Sequence, residues 1–141
     1  MSSYSAQMLD AIEGGQLERA HELLRLAQTN DDDETQFNLA EELYGIGFTP
    51  EAKQLYESLL GKYPDEGDVL TALADIAVTD GDSDAALEYL SRIHPDNPAY
   101  VQALLAVADL YQTQGLYEVS AQKLREAAQL ASRSSPLPRV S

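Results

Sequence analysis

The stretch GFTPEAKQLYESLLGKYP at residues 47–64 carries the pattern that decides the fold. It begins with Gly47, has the small Ala52 five residues later and Tyr56 four residues after that, and closes on Pro64. Four glycines recur 32, 34 and 34 residues apart, and each has a small residue five positions later: Gly15 with Ala20, Gly47 with Ala52, Gly81 with Ala86 and Gly115 with Ser120. A fixed period of this size predicts an array of repeats.

The pattern predicts that each repeat consists of a helix, a tight turn and a second helix. Apolar residues fall at helical spacing in eight segments, and no strand pattern separates them: residues 4–13, 17–28, 33–46, 50–62, 67–79, 83–93, 98–114 and 117–132. Each repeating glycine is expected to end the first helix of a pair in the left-handed conformation. Thr49 and Asn97, each before a proline, are expected to cap the fourth and seventh helices, and Asp82 or Ser83 the sixth.

The predicted fold class is therefore all-α, a single array of four helix pairs. The pairs are expected at about residues 1–30, 31–64, 65–97 and 98–132, followed by a flexible tail over residues 133–141. Counting from the glycines also predicts the packed faces. These are Leu39 with Ala40, Leu73 with Ala74 and Val107 with Ala108 on the first helices, and Ala52 with Tyr56, Ala86 with Leu90 and Ser120 with Leu124 on the second helices.

Composition excludes several classes of function. The 141 residues carry a net charge of −15, which repels nucleic acid phosphates and anionic lipid and attracts basic partners. The chain has no cysteine, so disulfides and thiolate chemistry are excluded. It also has no apolar run long enough to span a bilayer and no basic region followed by an apolar stretch at its start, from which we expect a cytoplasmic protein.

The repeat resembles the tetratricopeptide repeat, or TPR. Repeats of that family share a similar period and have a turn glycine, a small residue at the start of the second helix, an aromatic residue four positions later and a terminal proline. The chain matches these residues with Gly47, Ala52, Tyr56 and Pro64. The resemblance covers about residues 4–132, and the chain is similar to the N-terminal part of a cytoplasmic bacterial protein built from many such repeats. It departs from the pattern in lacking tryptophan and in having Ser120 in place of alanine.

The resemblance implies a right-handed α-α superhelix whose first helices line a concave groove for a peptide or a partner helix. The candidate groove residues lie ten, six and three positions before each glycine: Phe37, Glu41, Tyr44, Thr71, Asp75, Val78, Leu105, Asp109 and Gln112. None is basic, which argues against the clamp by which co-chaperone members of the family bind acidic tails. The middle position is acidic in all three helices: Glu41, Asp75 and Asp109.

Two interpretations of these acidic residues stay open. In the first, the groove binds a basic, partly apolar protein segment, or one whose backbone N–H groups donate to the carboxylates. In the second, the acidic side chains only solvate the face or pair with a neighbouring helix.

Two other acidic stretches are better explained by turns and helix starts than by cation binding. Asp80, Asp82 and Asp84 imitate the start of a calcium loop, but Ala85 and Ser91 occupy the positions that need glycine and glutamate, so a turn and a cap are expected. The run Asp31–Glu34 is interpreted as stabilising a helix start, with a cation site as the alternative. Mutual repulsion within this run also suggests a mobile or partner-seeking loop.

No catalytic constellation is present. His21 and His94 have no serine or carboxylate at a recognisable motif spacing, and no glycine-rich phosphate loop occurs. We therefore expect no enzyme activity, no cofactor and no metal.

The last predicted helix offers an apolar strip and no following capping helix. Its candidate self-association residues are Val119, Leu124, Ala127, Ala128 and Leu130. A fragment of a longer array, a homodimer or a tail folded back over the strip would each explain it. The leading hypothesis is a non-catalytic scaffold that binds a protein segment in the groove, and the alternative is an architectural or self-association module that uses this helix pair.

Overall fold

A computed structural model describes residues 3–134, and the secondary structure within that range consists of helices joined by turns and loops. The prediction of an all-α fold with eight helices is confirmed. The helices are α1 (Tyr4–Glu13), α2 (Leu17–Asn30), α3 (Asp33–Gly45), α4 (Thr49–Lys62), α5 (Gly67–Thr79), α6 (Ser83–Ser91), α7 (Tyr100–Thr113) and α8 (Tyr117–Ser134).

The helices form two compact units, Met1–Pro64 and Asp65–Ser141. In the first unit α1 pairs with α2 and α3 with α4, and the pairs meet where α1 packs on α3 and α2 on α4. In the second unit α5 pairs with α6 and α7 with α8, and α6 packs on α7. The border between the units lies in the segment between α4 and α5.

The four repeating glycines adopt the expected left-handed conformation, with φ of 75°, 93°, 80° and 81° at Gly15, Gly47, Gly81 and Gly115. At the second turn the Phe48 N–H donates to the Leu43 carbonyl at 2.8 Å and the Gly47 N–H donates to the Tyr44 carbonyl at 3.2 Å. These two bonds form a Schellman motif, in which the N–H groups after the helix bind its last carbonyls. The motif requires a positive φ at the first residue after the helix cap, here Gly47. Glycine adopts that φ without the strain of a side chain.

Helix starts follow the predicted chemistry only in part. Asp82 caps α6 as expected, because its Oδ1 accepts from the Ala85 N–H at 3.0 Å. Thr49 is not a cap: it lies inside α4, whose N-cap is Phe48 without a side-chain bond. Asn97 is not a cap either, since its Oδ1 accepts from the Ala99 N–H at 2.9 Å and closes a turn before α7 begins at Tyr100.

Helix α6 is shorter than predicted. It ends at Ser91 instead of residue 93 and has 9 residues, whereas α4 has 14. The loop that follows contains Pro95 and Pro98, and proline disfavours the helical conformation in the residue before it and cannot donate a helical hydrogen bond.

Small residues let the helices of each pair approach. Ala52, Ala86 and Ser120 are buried, as predicted, and the Ser120 hydroxyl donates at 2.7 Å to the Ala108 carbonyl of α7. In the second unit Gly67 plays a similar part, because a Cβ there would lie 2.7 Å from the Asn97 side chain. Val107, predicted to be packed, is only half-buried.

The end of α8 corrects one boundary. The helix continues to Ser134, so residues 133 and 134 do not belong to a flexible tail. The rest of the predicted tail, residues 135–141, lies outside the described residues.

Candidate functional site

Four of the nine predicted groove residues come together at one cavity in the second unit. Thr71, Asp75 and Val78 of α5 and Asp109 of α7 line a space of about 200 Å³. Because these residues were chosen only by their distance from the repeating glycines, their convergence supports the register of the repeat. The remaining lining residues are Ala74, Leu90, Ala106 and Leu110.

The cavity combines an apolar base with acidic sides. Ala74, Leu90 and Leu110 are buried, with exposed fractions of 3%, 4% and 7%. Asp75 and Asp109 are exposed, and Val78 keeps 48% of its surface in contact with solvent. The lining contains two carboxylates and no basic side chain. The cavity is therefore amphipathic and carries negative charge.

The other two predicted residues of α7 do not line this cavity. Leu105 is 40% exposed and Gln112 is exposed, and the cavity is lined by Ala106, Asp109 and Leu110 instead.

In the first unit the predicted groove residues share one face of α3. Glu41 is exposed, and Phe37 and Tyr44 are half-buried. Phe37 packs edge-on against the ring of Tyr56 in α4, with ring centroids 5.7 Å apart. Phe37 therefore serves the packing of the helix pair, and only part of its ring surface is open to a partner.

A second cavity in the second unit was not predicted. It has a volume of about 470 Å³ and is lined by residues of α6, α7 and α8 and by Ile93. On α7 the lining residues lie at helical spacing: Tyr100, Ala103, Leu104, Val107 and Tyr111. The signal was present in the sequence, because α7 is apolar on more than one side, as a helix between two partners requires.

A polar network lies beside this second cavity. The Tyr100 hydroxyl donates to Glu126 at 3.2 Å, and the Lys123 Nζ lies 3.8 Å from the other Glu126 oxygen. Burial of Tyr100 and the negative charge of Glu126 raise the pKa of the Tyr100 hydroxyl. The network ties the start of α7 to α8.

The acidic run Asp31–Glu34 is structural over its first three residues. The Asp31 carboxylate accepts from the Ser5 N–H at 2.8 Å and the Ser5 hydroxyl at 2.6 Å, and so holds the start of α1. Asp32 accepts from the Thr35 N–H at 2.8 Å and caps α3. The interpretation as stabilised helix starts is confirmed for these residues.

Asp33 completes this structural role. Its carboxylate accepts from the Tyr63 hydroxyl and, at 2.9 Å, from the Lys62 ammonium. These two hydrogen bonds lower the pKa of the Asp33 carboxyl. The suggestion of a mobile, partner-seeking loop is therefore wrong for Asp31, Asp32 and Asp33, because every one of their carboxylates is bound within the first unit.

The histidines lie at the surface in isolated pairs with carboxylates. His21 Nε2 is 3.7 Å from Glu51 of α4, and His94 Nδ1 is 3.4 Å from Asp96. Across residues 3–134, no group of three or more histidine, aspartate or glutamate side chains is arranged to hold a metal ion. Within the same range, no helix has the length and apolar character needed to cross a bilayer.

The predicted strip on α8 is not one surface. Leu124 and Ala128 are exposed on one side of the helix, whereas at 100° per residue Val119 lies about 140° and Leu130 about 120° from Leu124. Ala127 was predicted to be part of the strip, but it is 2% exposed. It shares the buried face of α8 with Ser120, seven residues earlier, which bonds to α7.

The helix pairs repeat about every 34 residues, and each has a left-handed glycine between its two helices, which defines an α-helical repeat protein. The family model described as "Tetratricopeptide repeat protein 21 ARM repeat" matches residues 5–115. The chain belongs to the tetratricopeptide-repeat family, as its resemblance to that repeat predicted.

Relatives and solved structures agree with this assignment. The chain is 32% identical over 127 residues to the TPR repeat-containing protein YpiA of Bacillus subtilis, a match that covers 90% of this chain and 30% of the relative. The chain thus spans about a third of the length of that relative. Among solved structures, MamA is similar at a TM-score of 0.71 and 16% identity, covering 92% of this chain and 77% of that one.

A tetratricopeptide repeat protein from Parabacteroides merdae is similar at a TM-score of 0.69 and 21% identity, covering 94% of this chain and 54% of that one. At these identities the two solved structures show the fold and nothing more. The fold is that of the TPR solenoids, whose repeats generally mediate interactions between proteins.

Proposed function

We propose that this protein is a non-catalytic scaffold that holds a basic, partly apolar segment of a partner protein against its first helices. The observation that carries the proposal is the cavity between α5 and α7, where Asp75 and Asp109 stand above a buried apolar base. A partner segment would pack apolar atoms on this base and bring positive charge to the carboxylates.

Electrostatics support the choice of a basic segment. The chain carries a net charge of −15, and such a field accelerates the encounter with positive partners and slows that with negative ones. Carboxylates that accept from cationic donors form hydrogen bonds that are shorter and stronger than neutral ones. The same site would repel the acidic tails that basic TPR grooves bind.

The remaining predicted groove residues extend the proposal to the rest of these helices. Phe37, Glu41 and Tyr44 offer a ring edge, a carboxylate and a half-buried phenol on α3. Leu105 and Gln112 offer further exposed surface on α7. A cytoplasmic location and the absence of a cofactor stay predictions from the sequence.

Selection from a displayed peptide library on the immobilised full chain tests the proposal. We expect the selected peptides to be enriched in arginine, lysine and apolar residues. Asp75→Lys together with Asp109→Lys should abolish their binding at unchanged helical circular dichroism. Asp65→Lys together with Asp84→Lys makes the same change in charge at exposed positions outside the cavity and should leave most binding intact. Enrichment of acidic peptides would overturn the proposal.

A second function is favoured by one observation on α8. Leu124 is 45% exposed, whereas Leu90 and Tyr56, at the equivalent positions of the two preceding repeats, are 4% and 2% exposed. Leu90 is covered by α7, the first helix of the next pair, with which it lines both cavities. The surface around Leu124 and Ala128 is therefore where a further helix would pack, either in a longer array or in a second copy of the chain.

Analytical ultracentrifugation of the full chain tests this second function. If α8 mediates self-association, the wild-type chain dimerises and Leu124→Gln shifts it to monomer, while Asp75→Asn has no effect. A chain that stays monomeric at millimolar concentration would exclude the homodimer.

A further inference from the structure

The cavity between α5 and α7 has the two-part lining that a long basic side chain requires. Its base is formed by buried aliphatic side chains, among them Leu90 and Leu110, and its sides carry Asp75 and Asp109. Aliphatic stems of basic residues pack on apolar surface while their charged ends stay near water. Both halves of such a residue thus have a matching surface here.

We propose that this cavity binds a single arginine side chain of the partner protein. The methylene stem packs on Leu90, Leu110 and the exposed part of Val78, and the guanidinium binds Asp75 and Asp109 together. The inference rests on the proposed function, because it names the residue by which the partner segment is anchored.

The volume of the cavity sets the size of the occupant. At about 200 Å³ the space is somewhat larger than a cavity of about 150 Å³, which holds one benzene molecule. One long side chain fits this space, and because the space is open to solvent, the rest of a partner segment would lie outside it. The cavity is therefore a pocket for an anchor residue within a longer contact surface.

The placement of the carboxylates on two different helices favours arginine over lysine. A guanidinium is planar and offers five N–H donors, so one side chain can donate to acceptors on two sides at once. An ammonium is a compact and strongly hydrated charge that gains less from an exposed pair of carboxylates. Asp75 and Asp109 lie at equivalent positions of consecutive repeats, one on α5 and one on α7, and both line the cavity.

Nuclear magnetic resonance with small probes tests the inference on the full chain. N-acetyl-L-arginine amide should shift the backbone amides of Asp75, Val78 and Asp109 in a saturable manner. N-acetyl-L-lysine amide should bind more weakly. N-acetyl-L-citrulline amide has nearly the same shape without the charge and should bind at least about tenfold more weakly, as expected for the loss of charged hydrogen bonds.

Variants assign the effect to the two carboxylates. Asp75→Asn and Asp109→Asn should each weaken arginine amide binding about tenfold, as expected for the loss of a hydrogen bond to a charged group. Asp65→Asn removes the same charge from an exposed loop position and should leave binding within about twofold. Equal binding of the arginine and citrulline probes, or shifts that map away from α5 and α7, would overturn the inference.

A second measurement separates this inference from the proposed function. In the tightest peptide from the library selection, replacing each arginine in turn by citrulline should identify one position at which binding to the wild-type chain falls at least about tenfold. At that position the loss should disappear in the variant that carries both Asp75→Asn and Asp109→Asn. If peptides are selected and depend on Asp75 and Asp109 but no single arginine dominates, the proposed function stands and the single-arginine pocket is wrong.

Discussion

The two units contain the same four-helix arrangement of repeats but differ in how their helix pairs meet. In the first unit α2 packs on α4, and the pairs are joined by polar contacts such as Gln54 Nε2 to Gln28 Oε1 at 3.0 Å. In the second unit residues of α6 and α8 line the same cavity of about 470 Å³. The difference in helix length explains this, since α6 is five residues shorter than α4, or about 7.5 Å at 1.5 Å per residue.

The two units also differ in where their acidic side chains lie. In the first unit the carboxylates of Asp31, Asp32 and Asp33 bind groups within that unit. The second unit keeps Asp75 and Asp109 at the side of a cavity and leaves space beside α7. We therefore expect the first unit to resist packing changes less well than the second, and the second to carry recognition.

The largest expected effect is a core truncation in the first unit. Leu43 of α3 is fully buried, so Leu43→Ala should lower the free energy of unfolding of this unit by about 3–5 kcal/mol. Leu104→Ala, at the side of the larger cavity, should lower that of the second unit by about 2 kcal/mol, the lower end of the range for such truncations. Amide hydrogen exchange in α3 and α7 measures the two effects separately. Equal losses would contradict the contrast between the units.

The next largest effect is expected when a buried alanine is replaced by a larger residue, which should destabilise the first unit more than the second. Ala40 of α3 is fully buried, and Ala40→Leu should cost about 1–3 kcal/mol through overpacking. Ala103→Leu of α7 directs the added carbons into the larger cavity and should change stability by less than about 0.5 kcal/mol. Urea unfolding followed by circular dichroism gives the comparison, and a severe loss from Ala103→Leu would mean that the cavity cannot accept a side chain.

Removal of the Asp31 carboxylate, which binds the start of α1, should have a smaller effect. Asp31→Ala breaks the bonds to the Ser5 N–H and hydroxyl and should destabilise the first unit by about 0.5–2 kcal/mol, as for lost helix caps. Hydrogen exchange should accelerate first at the start of α1. Asp65→Ala, in an exposed turn of the second unit, serves as the control and should change stability by less than about 0.5 kcal/mol. If the amides of α1 exchange equally fast in both variants, the Asp31 carboxylate does not stabilise the start of α1.

The smallest expected effect depends on pH. Since hydrogen bonds from Tyr63 and Lys62 lower the pKa of Asp33, its stabilisation is present above the ordinary value of 3.8 and is lost as pH falls through the lowered pKa. Thermal unfolding should therefore show Asp33→Asn slightly less stable than wild type at pH 7 and equal to it in strong acid.

At high pH the stabilisation by Lys62 and Tyr63, the partners of Asp33, changes with pH in the opposite direction. The pKa of Lys62 and that of Tyr63 are raised by Asp33, so their stabilisation is present below the ordinary values of 10.5 and 10.0 and is lost as pH rises through the raised ones. Because the contacts lie at the surface, 1 M salt should reduce the difference between wild type and Asp33→Asn. A difference that is constant across pH would contradict the role given to these bonds.

The fold could be predicted closely because its signals are local. Helical periodicity set the bounds of α1 and α5 to the residue, and the glycine turns depend only on φ at one position and on bonds within six residues. Predictions failed where a competing local bond or a distant segment decided the outcome. Asn97 closes a turn instead of capping α7, and Ala127 is buried because α8 places it on the side of α7.

The candidate site was predictable in its residues but not in its shape. Counting from the glycines located Asp75, Val78 and Asp109, since equivalent positions of a repeat share one face. Leu90 as part of the base and the whole cavity beside Tyr100 and Tyr111 were not foreseen. A cavity is the volume that several elements together fail to fill, and no periodicity within one helix encodes it.

The sequence by itself determined the eight helices, the helix-pair repeat and the acidic character of the predicted groove positions, because these depend on residue spacing, on the conformational freedom of glycine and on charge. Only the tertiary structure decided which groups the acidic residues of the first unit bind. Asp31 and Asp33 lie close to Asp32 in sequence, yet their partners come from α1 and from the end of α4, 26 to 30 residues away. Hydrogen bonds join atoms that are near in space, and the packing of the helix pairs determines which atoms those are.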